Sequence, residues 1–127
     1  MTPEVQEAIE EIRTAFPGYL IEVTPEAQGG AYVVVNDLPV GEQYIPAQTW
    51  VGFLIGFLYP QADVYPHFTA PDLHRKNEAP LGEGMTGPID WNGRRAIQIS
   101  RRSNRWNPAT DTAALKLAKV LEWIRSK

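Results

Sequence analysis

A chain of 127 residues, 43% hydrophobic and 21% charged, has enough sequence for one domain with a true core and too little for two. It contains no cysteine, which excludes disulfides, thiolate nucleophiles and cysteine-ligated zinc, so any covalent chemistry must run through oxygen or nitrogen. The net charge of −3 conceals a division: residues 1–74 carry one basic residue, Arg13, against ten acidic ones, whereas residues 75–127 carry eleven basic against five acidic.

Residues 3–16 predict an amphipathic helix. Val5, Ala8, Ile9, Ile12, Ala15 and Phe16 recur at helical spacing, and Glu4, Glu7, Glu10, Glu11 and Arg13 take the other face. Thr2 suits the N-cap and Pro3 the first helical position, and Pro17-Gly18 ends the run. The four glutamates are the reverse of a signal peptide's basic start. The longest apolar run, Trp50 to Tyr59, is too short to span a bilayer, so a cytoplasmic protein without a membrane partner is expected.

Three strand signals follow at Tyr19 to Thr24, Ala31 to Asn36 and Trp50 to Leu58, with Asp37 to Thr49 as a loop able to hold a bulged strand extension. Short connections predict an antiparallel meander with the helix over one face. From Tyr59 to Pro88 five prolines predict an extended, irregular segment, and the glycines of Leu81 to Gly87 predict a mobile one. Asn92-Gly93 fits a type I′ turn pairing Ile89 to Trp91 with Arg94 to Ser100. A last helix begins after Asn107-Pro108, capped by Thr110 or Asp111. Its apolar stripe is Ala114, Leu117, Ala118, Leu121 and Ile124, and Arg125 and Lys127 sit at its C-terminal end. Trp106 and Trp123 are expected in the core and Trp50 in the meander.

The region 91–108 stands apart. It holds five arginines, two serines, three asparagines and no acid, a concentration of one sign that points to a partner or a reaction. Neither a metal nor a cofactor is expected. Two histidines and scattered acids give no ligand spacing, and no glycine-rich phosphate loop joins a strand to a helix. Nucleic acid is an unfavoured partner at a pI of about 5.3, because the acidic half would repel phosphates.

Gly56-Phe57-Leu58-Tyr59-Pro60, Asp63-Val64-Tyr65-Pro66, Pro71-Asp72-Leu73, Ser100-Arg101-Arg102-Ser103-Asn104 and Trp106-Asn107-Pro108 occur in an order that covers nearly the whole chain. In this order the sequence resembles the ubiquitin-conjugating (E2) superfamily, and within it prokaryotic E2 family E. The resemblance implies a single α+β, UBC-like domain over residues 1–127: N-terminal helix, antiparallel meander, irregular proline-rich segment with a hairpin and loop, C-terminal helix. It also implies a ubiquitin-like protein, an E1-like activating enzyme and a target protein as partners. The departures matter as much. E2 enzymes carry the ubiquitin-like tail on a cysteine; counting forward from the turn glycine puts that position at Ala96, and counting back from Trp106 puts it at Gln98. The His-Pro-Asn motif is missing, with His74-Arg75-Lys76-Asn77 only a distant echo. The first helix, rather basic in ordinary E2s, is acidic here.

With cysteine gone, a hydroxyl must replace it if acyl transfer persists. Ser100, where the family motif holds a serine, is the first candidate nucleophile and Ser103 the second. His67 or His74 would serve as base, though His67 beside Tyr65, Pro66 and Phe68 reads more naturally as a packed or hydrogen-bonded residue. Asn104 or an arginine would stabilise the oxyanion, and Arg101, Arg102 and Arg105 would hold carboxylates of a partner. The leading expectation is therefore an E2-like protein of a bacterial conjugation pathway that carries its ubiquitin-like cargo as a serine oxyester and passes it to a target. The alternative is a non-catalytic E2 variant that binds the ubiquitin-like protein or the E1 without an adduct, and the third is a basic-loop binder of nucleic acid.

Overall fold

The computed structural model describes residues 1–127. Helix α1 (Pro3–Ala15) starts where expected, the Thr2 hydroxyl accepting from Val5 N at 3.1 Å. Strands β1 (Ile21–Pro25), β2 (Ala31–Pro39) and β4 (Gln48–Ile55) form the meander, with every pairing antiparallel. The bulged extension foreseen after Asn36 is present: β2 runs on to Pro39, with a register shift between Val35 and Leu38. The expected third strand begins earlier and ends earlier than predicted, because Gly56 to Leu58 turn away after Ile55.

The proline-rich segment is less irregular than its composition suggests. It contains β5 (His67–Thr69), which pairs with β4 on one side and with β8 (Arg94–Ile99) on the other. It also contains β6 (His74–Arg75), paired with β3 (Tyr44–Ile45) in a small second sheet. Met85 to Gly87, expected to be mobile, open β7 (Met85–Trp91), the outer partner of β8 across the Asn92-Gly93 turn. The main sheet therefore has six strands in the order β1-β2-β4-β5-β8-β7.

Helix α2 (Ala113–Ser126) is capped by Thr112, not Thr110 or Asp111; the Thr112 hydroxyl accepts from Leu115 N at 3.1 Å. The buried stripe also differs from the expected one, with Ala113, Lys116 and Val120 buried and Ala118 exposed. Both helices cover one face of the sheet, where Val5, Ile9 and Ile12 of α1 and Leu117, Leu121 and Ile124 of α2 join Val33, Val35, Val51, Phe53, Ile55 and Ile99 in one core. This is an α+β, UBC-like arrangement. Across the sheet, Trp91 lies flat on Phe68 with ring centroids 4.7 Å apart, and Trp50 and Tyr32 surround it at 6.3 and 6.1 Å.

Candidate functional site

Residues 100–112 leave β8 and return to α2 as an irregular, arginine-bearing loop pinned at its far end. Trp106 Nε1 donates to Pro60 O at 2.7 Å, and Ala113 N donates to the Tyr59 hydroxyl at 3.1 Å. Between those anchors and β8, one carboxylate organises the loop. Asp63 accepts from Ser103 N at 2.9 Å, from Ser103 Oγ at 3.1 Å, and from Lys116 Nζ at 3.0 and 3.1 Å. Lys116 Nζ also donates to Ser103 Oγ at 2.7 Å. Lys116 is 5% exposed and Asp63 16%, so this ion pair sits where screening is weak. An ammonium paired in this way has no free lone pair with which to take the Ser103 proton.

Of the residues singled out from the sequence, Ser103 and Asn104 line an open cavity of about 310 Å³ together with Arg101, Arg102 and Arg105. Its other wall is α2, through Lys116, Lys119 and Val120, with Asp111 at one end. The arginines are held partly by ring faces: Arg101 lies 4.8 Å from the Trp123 ring centroid and Arg102 4.4 Å from that of Tyr65. Ser100 is not among the lining residues. It is half-buried, its backbone N–H donates to Gly84 O at 2.7 Å, and its hydroxyl accepts from Gln98 Nε2 at 3.1 Å.

Neither histidine is bonded to a serine. His67 is fully buried on the core face of β5 against Phe53, with both ring nitrogens unpartnered. Burial first, and then the nearby Lys116 charge, push its pKa down from 6.5 to about 3, with Asp63 opposing. Of the two readings of His67, packing fits and hydrogen bonding does not. His74 is exposed on β6, its Nδ1 2.8 Å from Asp72 O. The two positions reached by counting for a cysteine both fall inside β8, where Ala96 is fully buried and Gln98 half-buried.

The family model for prokaryotic E2 family E matches residues 16–127, everything but α1. The chain belongs to prokaryotic E2 family E. No curated protein and no solved structure matches it. An E2-like role in a bacterial ubiquitin-like pathway follows from that membership, with partners drawn in general from ubiquitin-like and E1-like proteins. No helix of this family member is long and apolar enough to cross a membrane.

Sequence reasoning missed Asp63 and Lys116 as parts of the site. Asp63 stood in one of the motifs that carried the resemblance, but Lys116 lies off the apolar stripe expected for α2, and it is buried because the helix turns a different stripe, from Ala113 to Ile124, onto the sheet.

Proposed function

We propose that this E2-like protein binds its ubiquitin-like partner through the arginine loop and positions it without forming a covalent adduct. The observation that carries this reading is the engagement of both candidate hydroxyls: that of Ser103 is bonded to Asp63 and Lys116, and that of Ser100 is bonded to the Gln98 amide. A serine needs a free base positioned to take its proton before it attacks a carbonyl; the Ser100 hydroxyl meets only an amide, and the carboxylate at Ser103 is already paired with Lys116. Arg101, Arg102 and Arg105 are exposed and suit the carboxylates of a protein partner.

The oxyester reading retains one favourable observation, the Ser103 Oγ to Asp63 Oδ1 bond of 3.1 Å. On that route the hydroxyl attacks the thioester carbonyl of the E1-bound cargo. The C–O bond forms as the C–S bond breaks, and Asp63 passes the proton on to the departing thiolate. Asn104 or an arginine would face the oxyanion, and a target amine would then take the acyl group.

One experiment separates the two. The protein is mixed with ATP and the E1-like and ubiquitin-like proteins of the same genome, using wild type, Ser100→Ala and Ser103→Ala. Complex formation without an adduct is the expected result. A hydroxide-labile, thiol-resistant adduct lost in one alanine variant overturns it and establishes the oxyester.

A further inference from the structure

The face of the main sheet that no helix covers is covered by the sheet's own hairpin. Glu22, Val34, Gly52, Phe68 and Gln98 form one row across that face, each opposite the next in the strand register. In a flat sheet Trp91 of β7 would stand three strands away from β4. Instead its indole crosses the row, stacked on Phe68 with centroids 4.7 Å apart and filling the space where a Cβ on Gly52 would meet it at 2.5 Å. Arg94 reaches farther still, its guanidinium 4.9 Å from the Trp50 ring centroid and 3.8 Å from a carboxylate oxygen of Glu22 on β1. Two features bend the tip over. Strand β5 ends at Thr69 and Pro71 has no N–H to continue the ladder, so β8 has no partner on that side before Ile97. On β7, Gly87 and Pro88 stand opposite Ile97 alone, a bulge that turns the strand; Gly87 is at φ 152°, and a Cβ there would lie 2.9 Å from Ala96 O.

Residues 88–96 are therefore a unit whose hydrogen bonds are its own. Ile89 pairs with Ala96, Asp90 with Arg95 and Trp91 with Arg94, and the Arg95 guanidinium donates to Asp90 and to Pro88 O. No hydrogen bond joins the unit to β1, β2 or β4. Its fastenings are the Trp91 ring and the Arg94 guanidinium, and the Arg94 to Glu22 pair is 37% and 48% exposed, so water weakens it. Beneath it, Val34 and Phe68 are buried. We propose that the hairpin tip is a hinged strap: residues 88–96 swing off the sheet as one piece, about the bulge and Ile97, while Ile97 to Ile99 stay paired with β5. Closed, the strap turns the exposed Asp90 and Arg95 to solvent; open, it frees Trp91 and uncovers an apolar strip of Val34, Gly52 and Phe68. Opening breaks no backbone hydrogen bond, so it costs far less than unfolding. Because the end of β8 stays paired, the strap switches the sheet face between polar and apolar and leaves the arginine loop where it is.

The chain has no cysteine, so a single introduced thiol reports opening without background. Val34→Cys places one under the strap, and Val33→Cys, beside it on β2, places one in the core beneath the helices. Both are reacted with dithiobis-nitrobenzoate in buffer and in urea well below the unfolding midpoint. The Val34→Cys thiol is expected to react at least about a hundredfold faster than the Val33→Cys thiol, at a rate nearly independent of urea. Arg94→Gln, which removes the clasp, is expected to raise the first rate at least about threefold and to leave the second unchanged. Equal rates at the two positions, or a Val34→Cys rate that climbs with urea in step with unfolding, overturn the proposal and make the tip a fixed part of the sheet. A fast Val34→Cys rate that ignores Arg94→Gln overturns it too, since the thiol is then reached without the strap moving. So does an Arg94→Gln effect of the same size at both positions, which is a loss of global stability. If Val34→Cys lacks a cooperative melt, Phe68→Cys reads the same strip from β5.

Discussion

Lys116 reaches Asp63 from the inward side of α2, and the energetic consequence belongs to those two side chains. A half-removed ion pair leaves one poorly solvated charge without its counter-charge, which costs far more than an exposed pair returns. Lys116→Met is expected to lower stability by about 3 kcal/mol in urea unfolding, the low end for buried pairs because Asp63 keeps some access to water. Lys116→Met with Asp63→Asn is expected to cost less than the two single changes summed, which a double-mutant cycle reads directly. His67 sets a pH dependence of its own. Its folded-state pKa near 3 lies below the unfolded value of 6.5, so the unfolded chain binds the proton more tightly. The contribution of the neutral ring is complete above pH 6.5 and is lost progressively as pH falls toward 3. Melting temperatures of wild type are expected to fall across that window more steeply than those of His67→Phe; parallel curves would remove the histidine from the account.

Strand β5 shows why single elements resisted reading from the sequence. It is three residues long and buried on both faces, so it has neither alternation nor length to mark it, and prolines crowd both sides. Its place is set by the β4 and β8 backbones and by the Thr69 hydroxyl, which meets the Thr49 hydroxyl at 3.0 Å and donates to Trp50 O at 2.7 Å. The β7–β8 hairpin was the opposite case, announced by Asn92-Gly93, with Asn92 at φ 46° and Gly93 at φ 79° as that turn requires. What the turn did not announce is where the hairpin lays Trp91. The indole passes over Gly52 of β4, and a Cβ there would come within 2.5 Å of it. Gly52→Ala is expected to lift Trp91 off the sheet, cost about 1–3 kcal/mol and shift the tryptophan emission. Unchanged emission and stability would mean that the sheet accommodates the methyl group without moving the ring.

At the scale of the whole molecule, the acidic and basic halves of the chain meet in ion pairs, Glu42 with Lys76, Glu22 with Arg94 and Asp63 with Lys116, and their charges separate around the start of α2. Glu7, Glu10 and Glu11 of α1 border a groove beside Thr112 and Leu115, while the other side of the start of α2, through Lys116 and Lys119, lines the arginine cavity. One helix end thus separates an acidic surface from a basic one, an arrangement that orients a charged partner before contact. Raising the salt concentration is expected to slow association with a ubiquitin-like partner much more than it changes dissociation, measured by stopped flow. An association rate indifferent to salt would count against steering by these surfaces.

The sequence alone determined the two terminal helices, the meander, the Asn-Gly hairpin and the family, because helical period, β-rich runs and turn residues are local signals whose physics acts within a few residues. It also marked Ser103, Asn104 and the arginines as neighbours, since they are adjacent in the chain. Only the tertiary structure decided that Ser103 is bonded to Asp63, 40 positions before it, and Lys116, 13 after it, and that His67 is turned into the core. Those outcomes depend on which faces the sheet and α2 bring together, and contacts made across packed layers leave no period or spacing in the chain to read.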